Sequence, residues 1–209
     1  MTNTMNNAAP ELDLIDVGGM NRASFILKSA LAIGTTAGAA AVGPFVTNAL
    51  AATASSDIDI LNFALTLEYL ETRFYKEAAK LDLSSKVAKL AKQLADDEQQ
   101  HVNALKGAVK QSGGTPAAKP TFEFGVTDEK SFLKLAQTLE DTGVSAYNGA
   151  GPLLKNKDLL LAAGSIVQVE ARHAAAIRLL NGENPAPDAF DKSLDKAAVL
   201  KAVTPLIKM

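Results

Sequence analysis

The sequence predicts an all-α fold, with four long helices in a bundle and a shorter helix after them. Three observations carry this prediction. Ala, Leu and Lys are abundant while aromatics make up only 5% and Trp is absent, a composition that favours helix over sheet. Apolar residues between about 57 and 182 recur at helical spacing rather than in alternation. A set of residues also occurs twice at one offset. Glu98-Gln99-Gln100-His101 and Glu170-Ala171-Arg172-His173 are 72 positions apart, and the same shift carries Thr66-Leu67-Glu68 onto Thr138-Leu139-Glu140 and Tyr75 onto Tyr147. A duplicated helix pair explains the repeat.

The first helix is expected over about Ile58 to Lys80, with Asp57 as N-cap and Ile60, Phe63, Ala64, Leu67, Leu70 and Phe74 facing inward. The second is expected from Ser84 to Gln111, where Gly113-Gly114 stops it. The third starts near Thr127, at Thr-Asp-Glu-Lys, and ends around Gly149-Ala150-Gly151-Pro152. The fourth spans Lys157 to Leu180 and closes at Asn181-Gly182. Its segment Ala162 to Val169 is apolar nearly all round, which reads as a buried helix. Pro185 and Pro187 then break the chain before a short helix over Asp191 to Val203. Short turns near Asp82 and Asn156 make each pair antiparallel, with its glutamate and its Glu-x-x-His unit at one height. Between the pairs lies Gly113–Val126, with an extended Thr-Phe-Glu-Phe. At roughly 3.3 Å per residue it can cross the length of a helix, so helix three is free to run parallel to helix two.

Composition narrows the function. A net charge of −2 without a basic stripe excludes nucleic acid as an expected partner. The absence of Cys excludes disulfides, thiolate metal sites, iron–sulfur clusters and a lipoprotein anchor. Any metal is therefore held by oxygen and nitrogen, a donor set that suits Fe, Mn or Zn. Near the N-terminus, Met20-Asn21-Arg22-Ala23-Ser24-Phe25-Ile26-Leu27-Lys28 leads into a mild apolar run from Ala30 to Val46, and then into Ala49-Leu50-Ala51 and Ala52-Thr53-Ala54. This is the pattern of an export signal. Its Arg-x-x-Phe-x-x-Lys texture is similar to a twin-arginine signal, with Asn21 in place of the first arginine. An uncleaved anchor or a disordered tail is the alternative. Nineteen polar, acidic residues precede it, so Met20 competes with Met1 as the start. The expected organisation is an export segment over 1–54, the bundle over 55–182 and a C-terminal extension over 183–209. The expected location is the periplasm, the cell surface or the exterior, with no membrane span left after cleavage.

A Glu and a His at i and i+3 share one helical face and can hold one side of a metal pair. Glu98 and Glu170 can bridge two ions, His101 and His173 can each ligate one, and Glu68 and Glu140 can serve as terminal ligands. Four carboxylates balance two divalent ions. Without metal they would repel in a core and some would protonate. One Glu-x-x-His alone would read as surface, but apolar residues flank Glu68 and Glu140 here. Tyr75 and Tyr147 lie seven residues beyond those glutamates on the same face. They are the candidate catalytic residues, although tyrosines at this spacing are more often core. Glu71 reads more readily as a solvated glutamate than as a further ligand. Asp96, Asp97 and Asp141 are candidates to orient the histidines. Arg73 and Arg172 read as surface residues or partners of the ligands.

Glu on helix one, Glu-x-x-His on helix two, and the same again on helices three and four resemble the ferritin-like di-iron carboxylate bundles. The resemblance covers about residues 57–182 and fills all six ligand positions. It is nearest to bacterial exported ferritin-like proteins related to desiccation-related proteins. It implies two Fe or two Mn ions per chain, held by Glu68, Glu98, His101, Glu140, Glu170 and His173. It leaves three functions open: redox chemistry on O₂ or H₂O₂ in oxidative-stress defence, iron oxidation and storage, or a non-enzymatic scaffold whose metal is structural or lost. A homodimer is compatible with each.

Overall fold

In the computed structural model, residues 56–208 are described. The export-signal reading and the alternative start at Met20 lie outside them. Helix α1 spans Asp57–Glu77 and continues as a 3₁₀ turn over Ala78–Lys80. Helix α2 spans Ser85–Gln111, α3 Glu129–Ala150 and α4 Lys157–Leu180. Helix α5 covers only Lys196–Val203, because Asp195 caps it and the expected first turn from Asp191 is not helical. The all-α expectation holds apart from one two-stranded ribbon. There β1, Thr121–Phe122, pairs antiparallel with β2, Ile207–Lys208.

Capping sets where the helices begin. Ser56, not Asp57, caps α1, in a reciprocal capping box with Asp59. Asp57 acts further away and accepts hydrogen bonds from the backbone N–H of Lys155 and Asn156, both at 2.9 Å. That ties the start of α1 to the start of α4. At the other end, Glu129 at the start of α3 accepts from the N–H of Ser84, the N-cap of α2, at 2.5 Å. Helices α2 and α3 therefore begin at one end of the bundle and run parallel, as a long crossover requires. Gly113 (φ 80°) and Gly182 (φ 75°) take the left-handed conformation that ends α2 and α4.

The crossover runs along α1. Asn62 near its start donates to Thr115 O and accepts from Ala117 N, while Phe74 near its end packs edge-on against Phe124 at 5.2 Å. This cover corrects two expectations of burial. Helix α1 buries residues on every side, including Leu61, Leu65, Tyr69 and Thr72 beyond the predicted inner stripe. Helix α4, read as buried, leaves an outer face open, with Leu160, Leu161 and Leu179 between 40% and 60% exposed. Val199 and Val203 seat α5 in the core. No helix among the described residues is long and apolar enough to cross a membrane.

Candidate metal centre

The antiparallel turns bring Glu68 level with Glu98 and Glu140 level with Glu170, and all four side chains are wholly buried at 0% exposure. His101 and His173 are buried beside them, with rings 6.3 Å apart. The structure brings together all six residues assigned from the sequence. They form two groups, each with its ligand atoms within 4.8 Å of one another: Glu68, Glu98, His101 and Glu170, then Glu98, Glu140, Glu170 and His173. Twice a metal–ligand bond of about 2.1 Å is roughly 4.2 Å, so each group needs only a small contraction to close on an ion.

Glu98 and Glu170 belong to both groups and divide their oxygens between them. Glu98 places Oε2 2.9 Å from His101 Nδ1 and Oε1 2.8 Å from His173 Nδ1. Glu170 places Oε1 3.0 Å from His101 Nδ1 and turns Oε2 toward His173. In the second group, Glu140 Oε2 and Glu170 Oε2 are buried without a hydrogen-bond partner, and Glu98 Oε1 and His173 Nδ1, though 2.8 Å apart, do not meet in hydrogen-bond geometry. Four buried atoms without hydrogen bonds, gathered about one point, fit a cation, and their oxygen and nitrogen chemistry suits Fe or Mn.

The electrostatics agree. Burial pushes Glu68 up to about 7, against the pull of His101. Burial likewise holds Glu140 well above the carboxylate range and raises Glu170. For the histidines burial opposes the charge, but it is outweighed. Contacts with Glu170, Glu68 and Glu98 push His101 up to about 12, and contacts with Glu140 and Glu98 push His173 up to about 11. A cluster that draws protons this strongly has an excess of buried carboxylates, and a bound cation could take the place of those protons.

Each tyrosine reaches across to the other hairpin. Tyr147 donates to Glu68 Oε1 at 2.5 Å and Tyr75 donates to Glu140 Oε1. Both phenols are held well above their ordinary pKa, first by burial and then by the carboxylates around them. Asp97 approaches His173 Nε2 at 3.4 Å. Asp96 instead pairs with Lys92 and Asp141 with Arg178, so neither orients a histidine. Arg73 pairs with Glu77. Glu71 corrects the sequence reading, because it is buried at 3% exposure and not solvated. Burial, then Glu170 and the other ligand glutamates, push its carboxyl well above the usual range. The signal that could have found it is its repeat mate, Gly143, a position with no side chain of its own.

The two faces of the centre differ. On the α2–α4 side a groove of about 470 Å³ reaches His101 and His173, with Leu94 on its floor and Gln93, Gln100 and Arg172 at its exposed edges. On the α1–α3 side the tyrosines and Glu71 close the centre in the core.

The sequence profile of the ferritin-like domain family matches residues 56–183, well over half of the chain. The chain belongs to the ferritin-like family. Among solved structures it is similar to a conserved hypothetical protein of Mycobacterium tuberculosis, with 18% identity, a TM-score of 0.56, and coverage of 63% of this chain and 94% of that one. It is also similar to a ferritin-like, diiron-carboxylate protein of Bacillus anthracis, with 23% identity, a TM-score of 0.55, and coverage of 59% and 93%. At these identities the likeness establishes the fold. No curated protein matches the chain.

Proposed function

We propose that this ferritin-like protein is exported, holds a pair of Fe or Mn ions, and performs redox chemistry on O₂ or H₂O₂ in oxidative-stress defence outside the cytoplasm. The observation that supports the reading is the division of Glu98 and Glu170 between two groups that could each hold an ion, which would join them as one dinuclear centre. Glu68 and His101 would complete one position, Glu140 and His173 the other. A bound pair of redox-active ions would supply the electrons for oxidant reduction. The protein's own residues supply the rest. The groove at the histidines admits a small oxidant, while the packed α1–α3 face excludes bulk water. Tyr75 and Tyr147 keep their protons on the phenolic oxygens and hold the terminal carboxylates in place.

Export rests on the Met20 to Ala54 pattern, and folding around metal before transport would suit a twin-arginine route. The kinship with desiccation-related proteins rests on the same ligand order and belongs to this proposal.

The test is metal content per chain of protein purified without chelators, beside Glu98→Ala/Glu170→Ala, followed by H₂O₂ and O₂ consumption and by fractionation of cells expressing the full chain. Bound Fe or Mn lost in the double variant, with oxidant turnover and an exported product, supports the reading. No metal even after anaerobic Fe(II) or Mn(II) addition overturns it and leaves a scaffold.

A further inference from the structure

The outward face of α4 is built unlike that of α2. The exposed side of α2 carries Lys86, Lys89, Lys92, Asp96 and Lys110, the charged coat of a helix whose far face meets water. Along α4 from Leu160 to Leu179, Arg172 is the one exposed residue with a charge. Of the four large apolar side chains exposed among the described residues, Leu160, Leu161 and Leu179 lie on this helix. Leucines at both ends of an otherwise weakly polar face suit a protein partner better than water.

The face is also complementary to itself when reversed. Residues 157, 161, 165, 168, 172, 175, 179 and 183 follow at steps of three and four, down one side of α4 and off its end. All are exposed except Ala175, which is half-buried. About the midpoint of this stripe, Lys157 answers Glu183, Leu161 answers Leu179, Ser165 answers Ala175 and Gln168 answers Arg172. A second copy turned about a two-fold axis there sets opposite charges together at both ends and leucine against leucine inside them. Between the leucines it sets small side chains together, so the helix axes can come close. A parallel copy in register would instead oppose Lys157 to Lys157 and Glu183 to Glu183, a repulsive arrangement.

We propose that α4 is a homodimer interface, in which two copies of this chain pair antiparallel along the stripe from Lys157 to Glu183. The pairing rests on no metal. A helix of 24 residues is about 36 Å long and roughly 10 Å wide. Two such faces bury on the order of 700 Å², less than the roughly 1,200 Å² of a standard stable interface, so the dimer is a reversible one. Arg172 belongs both to the stripe and to the edge of the groove that reaches His101 and His173. Pairing therefore brings the partner's Gln168 beside the mouth of that groove.

The test is sedimentation velocity of the full-length chain over a series of concentrations, joined to crosslinking through engineered cysteines, which the lack of native Cys leaves unambiguous. The wild type should pass from monomer to dimer with a Kd on the order of 10–100 μM. Leu161→Lys should weaken association on the order of tenfold or more, since each dimer buries the substituted position twice. Lys157→Glu should weaken it too, and Lys157→Glu/Glu183→Lys should restore it, because the ends then attract again. A mixture of Ser165→Cys and Ala175→Cys chains should form the mixed disulfide in preference to either pure one. Circular dichroism shows that each variant has kept its fold. A wild type that stays monomeric throughout, as it would if residues 1–55 took the face, overturns the inference. So does association that Leu161→Lys leaves unchanged, or a crosslink that joins 165 to 165.

Discussion

Tyr147 on α3 donates its hydroxyl proton to Glu68 on α1, and the repeat returns the contact as Tyr75 on α1 donating to Glu140 on α3. Each hairpin therefore holds the terminal carboxylate of the other. Tyr147→Phe leaves Glu68 Oε1 without its donor, and a buried polar group so orphaned costs about 1–3 kcal/mol. The variant should lose that much stability in urea denaturation, and its affinity for ion at the Glu68 position should fall roughly tenfold. Tyr75→Phe should do the same at the Glu140 position. If either variant matched the wild type in both stability and metal titration, the phenol would be mere packing.

Sharing of Glu98 and Glu170 makes a stoichiometric prediction. Removing a terminal ligand, as in Glu68→Ala, takes donors from one group and should leave the other ion bound. Removing a bridge, as in Glu98→Ala, strips both groups and should lose both ions. Metal analysis after gel filtration separates the cases, and retention of a single ion by Glu98→Ala would mean two independent sites. The same carboxylates burden the metal-free fold, because burial without a counter-charge costs several kcal/mol per ion. Glu140→Gln should therefore raise the melting temperature of the metal-free protein while weakening its metal binding.

The buried cluster of four glutamates and two histidines was legible in the sequence because Glu and His at i and i+3 share one helical face, and duplication printed the pattern twice. Helix ends were legible for a local reason, since Gly113 and Gly182 can take a conformation that other residues resist. What the sequence hid is non-local. Asp57 looked like a cap, yet its partners are Lys155 and Asn156, almost a hundred residues away. The crossover chose α1 over α4 as the helix buried all round, and no periodicity within α4 reports what fails to cover it. Ile207–Lys208 is too short to announce a strand and exists because Thr121–Phe122 offers it an edge. Glu71 read as solvent-facing by composition alone; only Gly143, one repeat away, marks its space.

Gly149 tests how the C-terminal extension is held. A Cβ there would lie 1.9 Å from the carbonyl oxygen of Leu194, a backbone atom that cannot swing aside. Leu194 N in turn donates to Ser145 O at 3.0 Å, so the segment before α5 lies directly on α3. Gly149→Ala gains about 1 kcal/mol of helix propensity, but overpacking costs about 1–3 kcal/mol, and the extension should lift. Thermal denaturation should show net destabilisation, and limited proteolysis should cut faster within 184–195. Gly164→Ala on α4 is the control, because nothing lies within 4 Å of its Cβ. It should stabilise by about 1 kcal/mol.

Protons and metal compete for the same atoms, and the direction of each shift fixes the pH response. Burial raises Glu68 from 4.5 to about 7 in the folded chain, so its contribution to stability is complete below pH 4.5 and is lost as pH rises through 7. Glu140 and Glu71 are raised as well and act in the same direction. The histidines, raised from 6.5 to about 12 and about 11, contribute fully below 6.5, and that contribution declines as pH rises from there and is gone once pH has passed those upper values. From about pH 5 to about pH 8 the metal-free protein should therefore become less stable as its glutamates are forced to ionise. Metal binding should strengthen over the same interval, because ligands must shed protons to coordinate. The gap in melting temperature between loaded and metal-free protein should widen with pH, and calorimetry in buffers of different ionisation enthalpy should register proton release on binding. A gap that stayed constant, with no protons released, would mean that the buried carboxylates and imidazoles do not serve as ligands.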